Sequence, residues 1–347
     1  MYLLADPISR VSLPFNLRRT AQNRISLRAR SFRVAASSAA MDKEKERVVI
    51  LGGGIVGASI AYFMTLKGAK NVTVLERSKI AASAGGKGGG FLAGGWGDGS
   101  VTQELHRRSF QLHEELAETL GIESYRKIQT LSVSPSGGSN VASWLDGTAS
   151  SRLMDPSTAQ VAPYEYTTKM MQAAQDQGAT VQIGTAAGLE WKGDSDQVAG
   201  VRLESGEVLD CDQVVVAMGI WSVLLEDWVQ MPVPMEGVKS TSLVYQNVEE
   251  ATAEPYALFC GENYKYSTHL EVYPRASGEI YICGCGGSDY VSGARLRKGG
   301  DCEMPEQISS DPKRVQAASQ AFRDMTSIGN RDPDVTQACM RPCPPDA

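Results

Sequence analysis

A glycine motif between a predicted strand and a predicted helix constrains the fold of this chain more than any other feature. The segment from Val48 to Arg77 reads VVILGGGIVGASIAYFMTLKGAKNVTVLER. A run of β-branched residues precedes the glycines, apolar residues then recur at helical spacing up to Gly68, and a second β-branched run follows. The segment therefore predicts a strand–helix–strand unit and places the chain in the α/β class, with a parallel sheet.

The glycines of this unit, Gly52, Gly54 and Gly57, form the pattern G-x-G-x-x-G. The first permits the tight turn, the second lets a pyrophosphate approach the backbone, and the third allows close packing of strand and helix. The helix begins near Ile55 and Val56, where it offers free N–H groups and the positive end of its dipole to phosphates. The arrangement predicts a dinucleotide site.

Glu76 ends the second strand at the position where a carboxylate accepts hydrogen bonds from ribose hydroxyls. Its charge repels a 2′-phosphate and so argues against NADP. The neighbouring Arg77 would favour such a phosphate, but we expect it to face solvent or the phosphates of the ligand. NAD and FAD share all of these features, so this segment leaves the choice between them open.

The rest of the chain predicts two kinds of sheet. Residues 77–100 are so rich in glycine that we expect a loop without packed elements, too long for an ordinary connection and therefore functional. Helical patterns follow near 101–121 and 163–178, and strand-like runs occupy 127–138 and 179–219. From about residue 222, strand-like segments alternate with polar turns, which indicates a larger antiparallel sheet in a second domain.

Composition excludes several classes of protein. The net charge of −6 argues against nucleic acid as a partner. No apolar run reaches about 18 residues, so we expect no transmembrane segment. The seven cysteines have irregular spacing without paired CxxC motifs, so we expect no metal site and a reducing compartment.

Residues 1–40 differ in composition from the remainder. They carry seven arginines, no lysine, six serines and a single acidic residue, Asp6. Such a leader predicts a transit peptide, which would direct the protein to a plastid or mitochondrion. If Met41 is instead the true start and the leader an extension of the gene model, we expect a cytoplasmic protein.

A second stretch of backbone favours a flavin over a nicotinamide cofactor. The apolar run QVVVAMGIWS ends in a small-residue turn that contains Ala217, Gly219 and Trp221. A turn of this kind, far along the chain from the first glycines, lets more backbone approach the cofactor. NAD-binding domains do not need it.

Six motifs in the right order resemble the D-amino-acid oxidase-like family of FAD-dependent oxidoreductases, which includes glycine oxidase and sarcosine oxidase. Two of them are the strand–helix–strand unit that ends in LER and the turn AMGIWS. Three more are VAPYEYTTKMMQAAQDQGATV, VYPRASGEIYICGCG and ACMRPCPPD. The sixth is the segment SAGGKGGGFLAGG, similar to the family's stretch that passes the pyrophosphate and flavin, with Ser83, Gly88, Gly89, Gly90 and Phe91.

The resemblance implies a Rossmann-type FAD-binding domain joined to a mainly antiparallel substrate domain, as in the D-amino-acid oxidase and glutathione-reductase-type flavoproteins. It assigns 46–100 and 160–222 to the FAD-binding domain, completed by 335–347. Residues 101–159 and 223–334 form the substrate domain. The family follows its Pro-Asp segment with a flavin-facing turn and a terminal helix, whereas this chain ends in CPPDA. We therefore expect a fragment, or weakened FAD affinity and reactivity.

The resemblance also implies a reaction in which a C–N substrate, a small amine or amino acid, gives a hydride to flavin N5, and O2 or another acceptor reoxidises the flavin. Arg341 would anchor the substrate carboxylate, unless it is a structural arginine near the chain end. Tyr266, or Tyr264, would supply a hydroxyl, while Trp96 and Arg275 are weaker candidates. Two alternatives remain: an assembly or trafficking factor that binds flavin with little turnover, and an NAD-dependent dehydrogenase.

Overall fold

The computed structural model describes residues 45–344, so the predicted leader, residues 1–40, lies outside the described part of the chain. The helices are α1 (Ile55–Leu66), α2 (Ala84–Lys87), α3 (Gln103–Leu120), α4 (Pro163–Asp176), α5 (Leu225–Val229), α6 (Glu249–Ala253), α7 (Gly293–Leu296) and α8 (Pro312–Met325). The strands are β1 (Arg47–Leu51), β2 (Asn71–Glu76), β3 (Phe91–Ala93), β4 (Arg126–Ser134), β5 (Ser150–Gln160), β6 (Thr180–Ile183), β7 (Ala186–Trp191), β8 (Val198–Leu203), β9 (Val208–Asp210), β10 (Gln213–Val216), β11 (Glu236–Tyr245), β12 (Tyr256–Cys260), β13 (Glu271–Pro274), β14 (Ile280–Cys283), β15 (Asp289–Val291) and β16 (Val335–Cys343).

The predicted strand–helix–strand unit forms the centre of a parallel four-stranded sheet in the order β10-β1-β2-β6. Its strands are buried, with Ile50 and Val74 fully inaccessible. Helices α1 and α4 pack on it through small and flexible side chains such as Ala58, Ala61 and Met170. Because α1 lies against the sheet, its amino end is fixed at the carboxyl edge of β1, where ligands bind in open α/β sheets.

A second, nine-stranded sheet follows the order β15-β11-β14-β13-β12-β4-β5-β3, with β16 paired to β11 as well. Its neighbouring strands are antiparallel except for β12 and β4, so the expectation of a mainly antiparallel sheet is confirmed. Strand alternation divides its side chains between two faces. One face packs with α8 through residues such as Leu243, Val272 and Phe322.

We call the opposite face of this sheet the aromatic face. It carries Phe91, Ile128, Val244, Ala257, Phe259, Tyr273, Tyr281 and Cys283. A third, three-stranded sheet, β7-β8-β9, packs through Val201 and Leu203 against Leu51 and Leu75 of the parallel sheet. No helix within residues 45–344 has both the length and the apolar character needed to cross a membrane.

Three predictions about elements were wrong or incomplete. The glycine-rich stretch 77–100 contains α2 and β3, so it is not a plain loop; its glycines let backbone pack where side chains would clash. Strand β5 was not predicted, because its sequence is polar and contains Pro156. Helix α8 lies in a region read as strands and turns. The domain boundaries themselves stay a prediction, and residues 345–347 lie outside the described part.

Candidate functional site

A cavity of about 1120 Å³ lies at the carboxyl edge of the parallel sheet. It exceeds the roughly 300–1,000 Å³ of ordinary small-molecule sites and therefore suits an extended ligand. It is bounded by the amino end of α1, the end of β2, the turn after β10 and a segment that follows α7. Several residues predicted for the cofactor line it: Gly52, Gly54, Ile55, Val56, Glu76, Arg77, Ser83, Ala217, Gly219 and Trp221.

The glycines of the motif differ in what surrounds them. A Cβ on Gly52, whose φ is +108°, would lie 2.4 Å from the Ala217 carbonyl oxygen, and one on Gly57 would lie 1.9 Å from the Gly52 oxygen. Both positions therefore require glycine for packing of the backbone itself. Gly54 has no atom within 4 Å of its Cβ position, so at this glycine the backbone is open to the cavity.

The first turn of α1 is free to bind an anion. Gly54 occupies the N-cap without a side-chain hydrogen bond, and the first turn contains no acidic residue. The N–H groups that begin a helix have no partner within the helix. Those of Ile55 and Val56 border the cavity, which fits a pyrophosphate at this position.

Glu76 is buried, with 8% of its surface exposed, at the end of β2. One carboxylate oxygen accepts the Gly53 N–H at 2.7 Å and the other accepts the Ser78 N–H at 2.8 Å. These two bonds fix the orientation of the carboxylate in the cavity wall. Its remaining lone pairs are the acceptors that ribose hydroxyls need.

Arg77 extends along the cavity, with its guanidinium carbon 5.7 Å from the centre of the Trp221 ring. Burial lowers its pKa, against the opposing effect of the carboxylates Glu303 and Glu76. Its Nε–H is buried without a hydrogen-bond partner among the described residues. A buried donor of this kind is costly unless an acceptor binds there, as the phosphate of a dinucleotide would.

The turn after β10 forms the opposite wall. Gly219, with φ at +56°, begins a 3₁₀ helix that ends at Leu224, and the Trp221 indole N–H donates to the Cys302 carbonyl at 3.1 Å. The close approach of Ala217 to Gly52 brings the two predicted backbone stretches together.

The glycine-rich segment connects this site to the aromatic face. A Cβ on Gly85 would lie 2.9 Å from the Ile55 nitrogen at the start of α1, whereas one on Gly89 would lie 2.7 Å from the Tyr273 ring. Arg275 donates to the Gly88 carbonyl at 3.0 Å. Gly90, with φ at +78°, leaves no room for a side chain beside Val161. Gly88–Phe91 thus lie beyond the cavity wall, next to the aromatic face.

The two predicted catalytic residues are not brought together. Arg341 lies on β16 between Met340 and Pro342, both of which line the cavity. The Tyr266 hydroxyl donates to Asp324 of α8 at 3.0 Å, and its ring packs with the core on the α8 side of the sheet. The catalytic roles of both residues stay predictions.

The remaining sequence candidates lie apart from the cavity. Tyr264 is exposed, and the Trp96 indole N–H donates to Asp155 at 2.7 Å.

Sequence reasoning missed two parts of the cavity wall. Residues 184–189 follow β6, and the carboxyl ends of parallel strands share one edge, so the strand order would have indicated them. The segment from Leu296 to Pro305 also lines the cavity. Its signal was the cluster of charges around the pair Gly299–Gly300, RLRKGGDCE.

Comparison with known proteins identifies the architecture. The model of the family described as DAO, FAD dependent oxidoreductase, matches residues 47–347. Glycine oxidase from Bacillus cereus superposes with a TM-score of 0.68 at 18% identity, covering 86% of this chain and 84% of that one. The L-amino acid deaminase of Proteus vulgaris superposes with a TM-score of 0.68 at 16% identity, covering 87% and 85%.

Relatives by sequence match over shorter stretches. TDA3 of Saccharomyces cerevisiae, which is named as an oxidoreductase, is 36% identical over 97 residues, 26% of this chain and 18% of its own length. The 4-methylaminobutanoate oxidase (formaldehyde-forming) of Paenarthrobacter nicotinovorans is 24% identical over 238 residues, 60% of this chain and 28% of its own length. The matches thus span less than a third of either relative.

Proposed function

We propose, since this chain belongs to the DAO family of FAD-dependent oxidoreductases, that it oxidises a C–N bond of a small amine or amino acid. When bound, FAD supplies the acceptor for the hydride, at N5, and O2 or another acceptor then takes up the electrons. The chain itself holds the cofactor and positions the substrate. The names of two relatives, an amine oxidase and glycine oxidase, support this class of substrate.

The residues that would hold the ADP half are those of the described cavity. The open α1 amino end accommodates the pyrophosphate, Glu76 accepts from the ribose, and the buried Nε–H of Arg77 is available for a phosphate oxygen. The buried glycines at 52 and 57 let β1, α1 and the turn after β10 approach closely enough to form this wall.

The observation that carries the substrate proposal is the position of Arg341. It is exposed and makes no hydrogen bond or ion pair with any residue of 45–344, although its two chain neighbours line the cavity. By strand alternation its side chain leaves β16 on the side of Cys339, away from Met340. A free guanidinium at the edge of a flavin site is suited to a substrate carboxylate, which it binds bidentately.

The first test is oxidation by the FAD-loaded protein. We expect bleaching of the flavin absorbance under anaerobic conditions by at least one member of a panel of amino acids and N-methyl amines. In air, the same compound should release peroxide if O2 is the acceptor. Bound FAD that no member of the panel reduces would favour the flavin-binding assembly or trafficking factor instead.

Replacement of Arg341 tests the carboxylate subsite. We expect Arg341→Ala to raise KM for carboxylate substrates about 10- to 100-fold, because a charge-assisted hydrogen-bonded pair is lost. Bound FAD should remain, since Arg341 is not among the residues that line the cavity. Arg152→Ala, at another exposed strand arginine, is the matched control. Unchanged kinetics of Arg341→Ala would remove this residue from the site.

A further inference from the structure

Four aromatic side chains gather on the aromatic face next to the glycine-rich segment. Phe91 stacks on Tyr273 with ring centres 5.4 Å apart, and Phe259 lies 5.0 Å from Phe91 and 4.9 Å from Trp96. Phe91 and Phe259 are half-buried, and 42% of Trp96 is exposed. The group, which we call the aromatic cluster, therefore leaves ring surface open to a ligand.

Glu271 is a half-buried carboxylate beside this cluster. One of its oxygens accepts hydrogen bonds from both the Tyr273 hydroxyl and the Cys283 thiol. Burial, together with the negative charge of Glu271, raises the pKa of both groups, so both stay protonated and neutral at physiological pH. No described basic residue forms an ion pair with Glu271, so its partners leave the negative charge uncompensated.

The glycine-rich segment places the aromatic cluster at the far end of a path from the cofactor site. The segment packs on the start of α1 at Gly85 and on the Tyr273 ring at Gly89, and it ends in the cluster at Phe91. The segment therefore connects the wall of the cavity at α1 with the aromatic face.

The same face connects Glu271 with Arg341. Glu271 pairs with Cys283 across β13 and β14, Tyr281 of β14 pairs with Val244 of β11, and Val244 pairs with Val335 of β16. Strand alternation then places Arg341 on the same face as Val335. Glu271 and Arg341 therefore lie on one face of the sheet, on β13 and β16, with β14 and β11 between these two strands. A carboxylate on one strand and a guanidinium on the other complement a zwitterion.

Aromatic ring faces attract a cation, and an alkylated ammonium group is well suited to them because it loses little hydration on binding. A neighbouring carboxylate adds direct charge complementarity. We propose that Glu271 and the aromatic cluster bind the ammonium group of an N-alkylated substrate. This inference deepens the proposed function and rests on it for the substrate, whereas cation binding itself is measured separately.

Calorimetric titration of the FAD-loaded protein tests the cation site without turnover. The probes are choline and its neutral isostere 3,3-dimethylbutan-1-ol. We expect choline to bind at least about 10-fold more tightly than the isostere. Glu271→Gln keeps an acceptor for the Tyr273 and Cys283 donors but removes the charge, so it should reduce that preference about threefold or more, while the rings retain the remainder. Trp96→Leu, which removes one ring, should weaken choline about threefold or more.

Glu262→Gln, at an exposed carboxylate in the turn after β12, is the control and should leave the preference intact. Absence of a choline preference in the parent protein, or an undiminished preference in Glu271→Gln, overturns the inference. Oxidation of amines without a Glu271-dependent choline preference leaves the proposed function standing and the cation site refuted. A Glu271-dependent preference without oxidation of any amine supports the cation site and contradicts the proposed reaction.

Discussion

At the scale of single residues, two glycines of one motif have different roles, one in packing of the backbone and the other in access of a ligand to it. Gly57 has the Gly52 carbonyl oxygen 1.9 Å from its Cβ position, whereas Gly54 has open space. We expect Gly57→Ala to destabilise the cofactor-free protein by about 1–3 kcal/mol, because a methyl group forces backbone apart. Thermal unfolding of the cofactor-free protein measures this effect.

The matched substitution Gly54→Ala should act on the ligand instead of on the fold. Its φ of −78° suits alanine and its Cβ position is open, so unfolding should change by about 1 kcal/mol or less, the cost of alanine at an N-cap. The added methyl group would lie where the pyrophosphate approaches, and FAD affinity should fall about 10- to 100-fold through lost charge-assisted hydrogen bonds. Normal FAD affinity of Gly54→Ala would contradict the assigned position of the pyrophosphate.

Asp212, just before β10, forms pH-dependent hydrogen bonds with Arg47 of β1 in the parallel sheet. Its carboxylate accepts from the Arg47 backbone N–H at 3.0 Å and from the Arg47 guanidinium at 3.2 and 3.0 Å. These hydrogen bonds lower the pKa of Asp212 to about 2. Because the folded state favours the ionised form, the stabilisation is complete above the ordinary pKa of about 4 and is lost as pH falls toward 2.

We therefore expect the difference in stability between the parent protein and Asp212→Asn to shrink between about pH 5 and pH 2. The pair is solvent-exposed, so salt should reduce the difference as well. Urea unfolding at a series of pH values measures it. A difference that stays constant with pH would show that Arg47 does not favour the ionised carboxyl of Asp212 over the protonated one.

At the scale of elements, the segment from α7 to Pro305, which we call the strap, forms part of the wall of the cofactor cavity. Arg297 pairs with Glu226 at 2.8 Å and with Asp227 at 2.9 Å, and Lys298 pairs with Glu204 at 3.1 Å. We expect Arg297→Ala to release FAD about two- to fivefold faster, since each partly exposed pair contributes little. Recovery of FAD fluorescence after dilution measures the rate.

The pair Arg108 and Glu115 on α3 supplies the control for this strap, because Arg108→Ala removes a comparable ion pair away from the cavity. High salt should accelerate FAD release from the parent protein more than from Arg297→Ala. Equal release rates in all three proteins would mean that the strap does not retain the cofactor.

Elements with strong local signals were predictable from sequence, whereas elements that form only by pairing with a distant strand were not. The β1–α1–β2 unit and the helix begun by Pro163 follow local periodicity and caps. Strand β5 forms because β4 pairs with it through register irregularities around Thr130, which accommodate Pro156. Helix α8 has a sequence signal for its first turn, the N-cap Asp311 followed by Pro312. The strand-like segments around it obscured this signal.

The residues of the candidate site also divide into those with a local sequence signal and those without one. Residues that line the cavity at the ends of β1, β2 and β10 were predicted from glycines and one acid, because a close approach of backbone and a ribose acceptor restrict the residue type. The strap and Glu271 were not predicted. Their relation to the site depends on which strands pair in the nine-stranded sheet, and a charge or an acid in an isolated segment carries no such information.

At the scale of the whole molecule, the cavity joins parts that are remote in sequence. Its wall combines the parallel sheet with the three-stranded sheet and with β16. A ligand that binds this wall only in the folded state should stabilise all of them together. With FAD at about 100 times its Kd, we expect roughly 2.7 kcal/mol of added stability and a Tm increase of about 5–10 °C.

Smaller and differently charged nucleotides make this test specific. FMN lacks the AMP half that would contact Glu76 and the α1 amino end, so at equal concentration it should raise Tm much less than FAD. NADP should not raise it, because Glu76 repels the 2′-phosphate. Differential scanning fluorimetry of the parent protein and of Glu76→Ala separates these contributions. An equal shift with FMN and FAD would place the binding energy at the flavin end and contradict a cavity built around the dinucleotide.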